Sequence, residues 1–464
     1  MNKLFKSISR TLLLLSVVAI SFSSCTQVNN KDLKNLSYGT CEGCHTDYEH
    51  LKLVYSADTG APVGGCGGAA PHYEPYDRVY MGGSGYEAYK GTVHDMACTK
   101  CHNGVDNTTD KLKAHSGDFL RHPSSEYVDK CGKCHADLTD NFATNLHNGI
   151  GQMDKVTKRS GLTGHTQFDQ LPQHQIEGYT ANCATCHGTC GNCHVVRPPI
   201  AGGGLSKGHQ FIEEPDMLNV CVSCHTSRGG HAYLGRGVDL DPTIVKDVHL
   251  THPDAQFTKC TFCHTEVELH GTGEAVDHRY DYSALPSCKS ADCHPNVNNS
   301  NSYHEMHMDD FNCHVCHSQD YNTCGECHVH GDGARIEAHL DFKIALNPLQ
   351  NPDNNHNTPL ALVRRTLGAP FNWEVYTNEN YDNFDAFPMF NYTTPHNIIK
   401  WTTRTNESGV GSCAKNCHIR FEDGAYINKG LYLLDENLTE VWQQTSTGHI
   451  TLDDRPIISG WLSK

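Results

Sequence analysis

Long hydrophobic runs are nearly missing from this chain of 464 residues, of which hydrophobic types make up 37%. A chain of this length normally buries a large aliphatic core. Here the material for one is thin, so something besides aliphatic packing has to fill the interior. The one sustained apolar run, Thr11 to Phe22, is too short to span a membrane, and no other segment is long or apolar enough. Basic residues are also in deficit, with 36 Lys and Arg against 53 Asp and Glu and a formal charge of −17. An acidic surface repels nucleic acid and anionic lipid, which excludes the polymer-binding functions. Methionine is scarce: seven remain beyond Met1, and Met306 and Met308 are the only close pair.

What is abundant is cysteine (24), histidine (33) and glycine (41). Twenty-two of the cysteines fall into eleven pairs, each followed at once by histidine. Nine pairs read C-x-x-C-H: Cys41/Cys44/His45, Cys98/Cys101/His102, Cys131/Cys134/His135, Cys183/Cys186/His187, Cys190/Cys193/His194, Cys221/Cys224/His225, Cys260/Cys263/His264, Cys313/Cys316/His317 and Cys324/Cys327/His328. Composition alone yields roughly 0.1 such motifs by chance. The pattern is the attachment site of c-type haem: two sulfurs form thioethers to the vinyl groups and the next residue, His, binds iron. Zinc ribbons also use C-x-x-C, but they do not need His after every second Cys. Two further pairs are stretched, Cys288/Cys293/His294 with four intervening residues and Cys413/Cys417/His418 with three. They read as haem sites too, the alternative being a disulfide beside an unrelated His. The expectation is eleven haems c, with nine as the minimum, and covalent haem is the interior filler that the aliphatic residues do not supply.

Residues 1–24 read as a signal peptide, with Lys3, Lys6 and Arg10 before the apolar run and Phe22-Ser23-Ser24-Cys25 resembling a bacterial lipobox. Its removal takes three positive charges and no negative one, so the formal charge goes from −17 to −20. The expectation is an extracytoplasmic protein tethered to the outer membrane through a lipid on Cys25, at its periplasmic or cell-surface face. The alternative is a soluble periplasmic protein.

The chain divides into an N-terminal haem region with three sites (25–150), a dense region with seven (151–340), and a haem-poor wrapping segment that ends in the last site (341–464). The opening 26–40 reads as a polar tether, and 56–92, rich in Gly, Tyr and Pro, as a long irregular loop. Cys66 in that loop has neither a paired cysteine nor a following histidine. Helical signals are short: Asp129–Asp137 and Asn219–Thr226 each support one to two turns. Leu360–Arg365 and Phe371–Tyr376 read as short strands. The fold class expected is short α-helices and irregular loops wrapped around a covalent multihaem core, with little β beyond a small sheet in 341–412.

Eleven motif histidines leave twenty-two others, twice what is needed to give each iron a second histidine. Iron with two histidines is low-spin and closed to substrates, which suits electron transfer. The distal candidates are His94, His115, His122, His147, His165, His209, His231, His249, His270, His304, His307, His339 and His396, set in short contexts flanked by apolar residues or Gly. Sequence does not pair them with particular motifs.

On these motifs the chain resembles the multihaem c-type cytochromes, and in style the lipid-anchored outer-membrane and extracellular cytochromes of dissimilatory electron transfer. The resemblance runs from Cys41 to His418. It implies closely packed haems passing electrons to redox partner proteins or an extracellular acceptor. It carries the proximal role onto His45, His102, His135, His187, His194, His225, His264, His294, His317, His328 and His418. Enzymatic relatives often carry Lys in place of the motif His, and no C-x-x-C-K occurs here. The competing reading is a reductase of a small nitrogen or sulfur oxyanion, with 341–412 as a roof and Arg364, Arg365 and Lys400 meeting the anion. A third is an oligomer or haem-lined filament. No catalytic residue is assigned.

Overall fold

A computed structural model describes residues 39–58, 72–148, 157–158, 167–173, 176, 188–225, 230–235, 246–274, 280, 282, 285–298, 300–320, 342–349, 358–365, 388–405 and 413–453. The signal segment, Cys25, Cys66, Phe371–Tyr376, His165 and His339 lie outside them. So do two whole motifs, Cys183/Cys186/His187 and Cys324/Cys327/His328. Among the described residues no helix is long and apolar enough to cross a membrane.

Most of the described chain is one- and two-turn helices joined by loops. The cysteine motifs create several of them, because positions i, i+3 and i+4 fall on one face of a helical turn. Cys41–His45, Cys190–His194 and Cys313–His317 are each a single turn. Short polar side chains start them. Thr40 accepts from the Gly43 N–H, and Asn312 accepts from the His314 N–H. In the doubled region the reciprocal half of a cap is present, with Asn192 accepting from the Thr189 N–H at 2.9 Å. The stretched motif at Cys288 does not fit one helical face, and it forms consecutive turns instead.

Two local expectations are corrected. The stretch 56–92 is not one irregular loop, since it holds helices Pro75–Val79 and Ser84–Tyr89. Two of its Pro and Gly residues stand at helix starts: Pro75 takes the first helical position, where a missing N–H costs nothing, and Gly83 precedes the second helix at φ 80°. The helix expected over Asp129–Asp137 is broken, with Tyr127–Lys130 ending before the motif and Ala136–Phe142 starting after it. His135 between them has φ −118° and ψ 47°, outside the helical region. The one to two turns expected around Asn219 are present, as a π-turn, Met217–Cys221, followed by Val222–Cys224.

The aliphatic core is local. Strands β1 (Phe342–Leu346), β2 (Leu360–Arg365) and β3 (Phe390–Tyr392) form an antiparallel sheet in that order, with Ile344 opposite Leu362 and Val363 opposite Tyr392. Alternation along the strands sends Phe342, Ile344, Leu360 and Leu362 to one face, where they pack with Val315, Cys316 and Cys417. Ala345 and Val363 go to the other, against Met389, Phe390, Leu433, Leu438 and Ile450. One face thus seats the motif turns at Cys313 and Cys413, and the other is covered by the chain's last segment. That segment also adds a hairpin, β4 (Arg420–Glu422) with β5 (Ala425–Ile427), and helix Val441–Thr447.

Candidate metal centres

Nine motif histidines are described, and each faces one histidine from outside the motifs. His45 faces His115 at a ring-centre distance of 6.1 Å, His102 faces His209 at 6.2 Å and His135 faces His94 at 6.2 Å. His194 faces His270 at 6.0 Å, His225 faces His147 at 6.1 Å and His264 faces His396 at 6.0 Å. His294 faces His249 at 6.3 Å, His317 faces His304 at 6.0 Å and His418 faces His307 at 6.2 Å. No histidine serves twice. A metal atom bound to one nitrogen of each ring, at about 2.0–2.1 Å, holds the ring centres about 6.3 Å apart. The observed spacing is that of two imidazoles on opposite sides of one metal. The other two expected sites fall outside the described residues, with the attachment cysteines Cys183, Cys186, Cys324 and Cys327 and the ligands His187 and His328.

The rings are fixed for this. Nδ1 of His45 donates to the Val79 carbonyl at 3.0 Å, that of His102 to Leu120 at 2.8 Å, and that of His115 to Lys111 at 2.8 Å. His194 donates to Ile212 at 2.6 Å, His307 to Tyr303 at 2.9 Å and His317 to Ile399 at 3.2 Å. A carbonyl only accepts, so Nδ1 carries the proton and the Nε2 lone pair is left for a metal. Burial lowers the pKa of His45, His102, His147 and His317, and takes that of His209 down to about 4. These rings are neutral at neutral pH, the ligand form. His209 also sits at φ 73°, a left-handed conformation uncommon for residues other than glycine and found at functional positions. His94 is held by Phe211, stacked on it at 4.0 Å and 6°.

Two rings have a charged partner. The Asp247 carboxylate, 2% exposed, accepts from His249 Nδ1 at 2.7 Å, and the Glu268 carboxylate accepts from His264 Nδ1 at 2.9 Å. The hydrogen bond with Asp247 raises the pKa of His249. At His264 burial works to lower it, and the Glu268 hydrogen bond and charge outweigh burial. Sequence reasoning passed over both carboxylates. Their signal, an acid two residues before one histidine and four after another, is too common in an acidic chain to stand out.

Among the described residues no three His, Cys, Asp or Glu side chains converge on a point that could hold a bare ion. The described cysteine pairs therefore do not show zinc-ribbon geometry. Burial pushes the thiols of Cys41 and Cys193 up to about 12 and about 11, unfavourable for thiolate–metal bonds. Cys313 goes the other way through its hydrogen bond with Cys288. Cys288 and Cys293 of the stretched motif are not bridged to each other. All nine histidine pairs line one continuous cavity of about 4020 Å³. A site for one drug-sized ligand is about 300–1,000 Å³. Val93, Leu112 and Met306 turn apolar side chains to this cavity.

The motifs form a row. The thiols of Cys131 and Cys190 hydrogen-bond, as do those of Cys221 and Cys260 and those of Cys288 and Cys313. Cys41 lies in the field of Cys98, Cys101 in that of Cys131, Cys193 in that of Cys221, and Cys263 in that of Cys293. Tyr432 meets both Cys316 and Cys417. The nine described motifs therefore neighbour one another in chain order, from Cys41 to Cys417.

Of the thirteen distal candidates, nine are the facing partners. His122 is exposed at the start of a short turn; it borders the large cavity and lies in the field of His102, whose facing ring is that of His209. His231 lies in helix His231–Tyr233, with its side chain outside the description. His165 and His339 are the two that fall outside the described residues. Among the residues proposed to meet an anion, Arg364 borders the large cavity and Lys400 sits 5.7 Å from the ring centre of Trp401. No family model, curated protein or solved structure matches the chain.

Proposed function

We propose that the protein is a multihaem c-type cytochrome whose function is to carry electrons along a row of haems with two histidine ligands each. The observation that carries this reading is the set of nine histidine pairs, one per described motif, at 6.0–6.3 Å. The cysteines at each site would form the thioethers, the motif histidine would be the proximal ligand and its facing partner the distal one. When bound, haem supplies an iron that gains or loses one electron. The chain's residues supply the rest. Carbonyls and carboxylates orient the rings, and burial keeps His45, His102, His147, His209 and His317 neutral. The contacts between motifs keep successive sites close.

A histidine on both sides leaves no open position for substrate, which favours conduction over reduction of an oxyanion at the described sites. Eleven haems and a minimum of nine remain the expected load, with delivery outside the cytoplasm and a lipid on Cys25 as the tether. Intact mass of the mature protein tests this. The expected mass exceeds the processed polypeptide by eleven haems, nine at least, plus the lipid. A mass equal to the bare polypeptide would end the proposal.

A further inference from the structure

Ten of the paired histidines are seen to hydrogen-bond through Nδ1, and these rings are not held by chemically equal acceptors. Eight go to neutral acceptors: six to the backbone carbonyls given above, that of His304 to the Val297 carbonyl and Ser300 hydroxyl, and that of His147 to the Asn145 side-chain oxygen. The other two go to carboxylates, and they belong to neighbouring sites. His264, held by Glu268, faces His396, and His249, held by Asp247, faces His294. The two sites adjoin through Cys263 and Cys293. Asp247 spans them, since its second oxygen accepts from the Ile398 N–H at 2.7 Å, two residues beyond His396.

Orientation does not require a charge there. A neutral carbonyl holds the ring at seven of the histidines, and a buried carboxylate is costly unless fully hydrogen-bonded. Asp247 meets that condition with the His249 N–H at 2.8 Å, His249 Nδ1 and Ile398 N–H. What a carboxylate adds is electronic. It draws the Nδ1 proton toward itself and leaves more electron density on Nε2. It also places a full negative charge one ring away from the metal, in an interior that screens charge weakly. Both effects favour the more positively charged state of a metal on Nε2, and so lower its reduction potential.

We propose that Asp247 and Glu268 are positioning residues that set potential, making the His249–His294 and His264–His396 sites an adjoining low-potential pair within the row. Five described motifs lie before the pair and two after it. Electrons passing between the two ends then meet an uphill step at a fixed place. The inference rests on the haem reading above.

The test is an optical potentiometric titration of the haem-loaded protein and of its Asp247→Asn and Glu268→Gln variants, with EPR of the oxidised forms. Asn and Gln keep the shape and an accepting oxygen but lose the charge. In each variant one low-potential step should move to higher potential, the two variants should move different steps, and one low-spin signal should change. The remaining steps should move less, the His147–His225 step among them, since the Glu268 charge also reaches His147. Unchanged low-potential steps in both variants, with haem number and low-spin signals intact, would overturn the inference while leaving the haem reading standing. Glu268, part-exposed, decides the matter if Asp247→Asn does not fold. A parent protein without haem would overturn both.

Discussion

Histidine carries the chemistry, and its two populations were unequally legible. The motif histidines stand out because thioether attachment needs cysteines and histidine within a few positions, a constraint written in local spacing. Their partners lie from 13 residues away (His304 to His317) to 132 (His264 to His396), so only folding brings them together. Apolar and glycine flanks nonetheless marked all nine, because a ring that reaches into a cavity has to leave the solvent. Asp247 and Glu268 carried no comparable mark. The pairing makes a sharp prediction at His209, which faces His102 from a left-handed backbone position. His209→Ala should keep the haem mass of the parent and convert one iron to high spin, seen as a new EPR signal of about one centre per molecule. Spectra identical to the parent would show that His209 is not that ligand.

At the scale of elements, the motif turns are too short to stand alone, since isolated helices under about 12 residues are marginal in water. Caps have to hold them, joined under the proposed function by covalent attachment to haem. Asn312 shows how much one cap does. Its oxygen accepts from the N–H and Nδ1 of His314, at 2.9 and 2.7 Å, while its amide donates to the Tyr392 hydroxyl at 2.6 Å. It thereby ties the turn at Cys313 to the sheet. Asn312→Ala removes the cap and the amide that donates to the buried Tyr392 hydroxyl. It should lower stability by about 1–3 kcal/mol, measured by denaturant unfolding, with haem number unchanged. A change below about 0.5 kcal/mol would mean the cap is dispensable. The strand Leu360–Arg365 was legible from its apolar run. The helices near Pro75 and Ser84 were not, because Pro and Gly serve helix starts as readily as loops.

The whole molecule joins two ways of filling an interior. The C-terminal sheet is buried on both faces by ordinary aliphatic packing, and it backs the turns at Cys313 and Cys413. Elsewhere the motifs line a shared cavity of about 4020 Å³ that the side chains do not fill. The low aliphatic content pointed to such a division, whereas the order of the sites emerged only from contacts between cysteines of successive motifs. That order also recasts the doubled region. Its second motif touches the third through Cys190 and Cys131, and the sixth through Cys193 and Cys221, so it is a link in the row.

The central claim is that each described motif histidine shares one haem iron with its facing partner. Low-temperature EPR of the oxidised protein, quantified against its haem content, tests this most directly. The expected spectrum contains only low-spin ferric haem, with histidine pairs accounting for at least nine irons. A high-spin signal amounting to several irons in the unmodified protein would contradict the account.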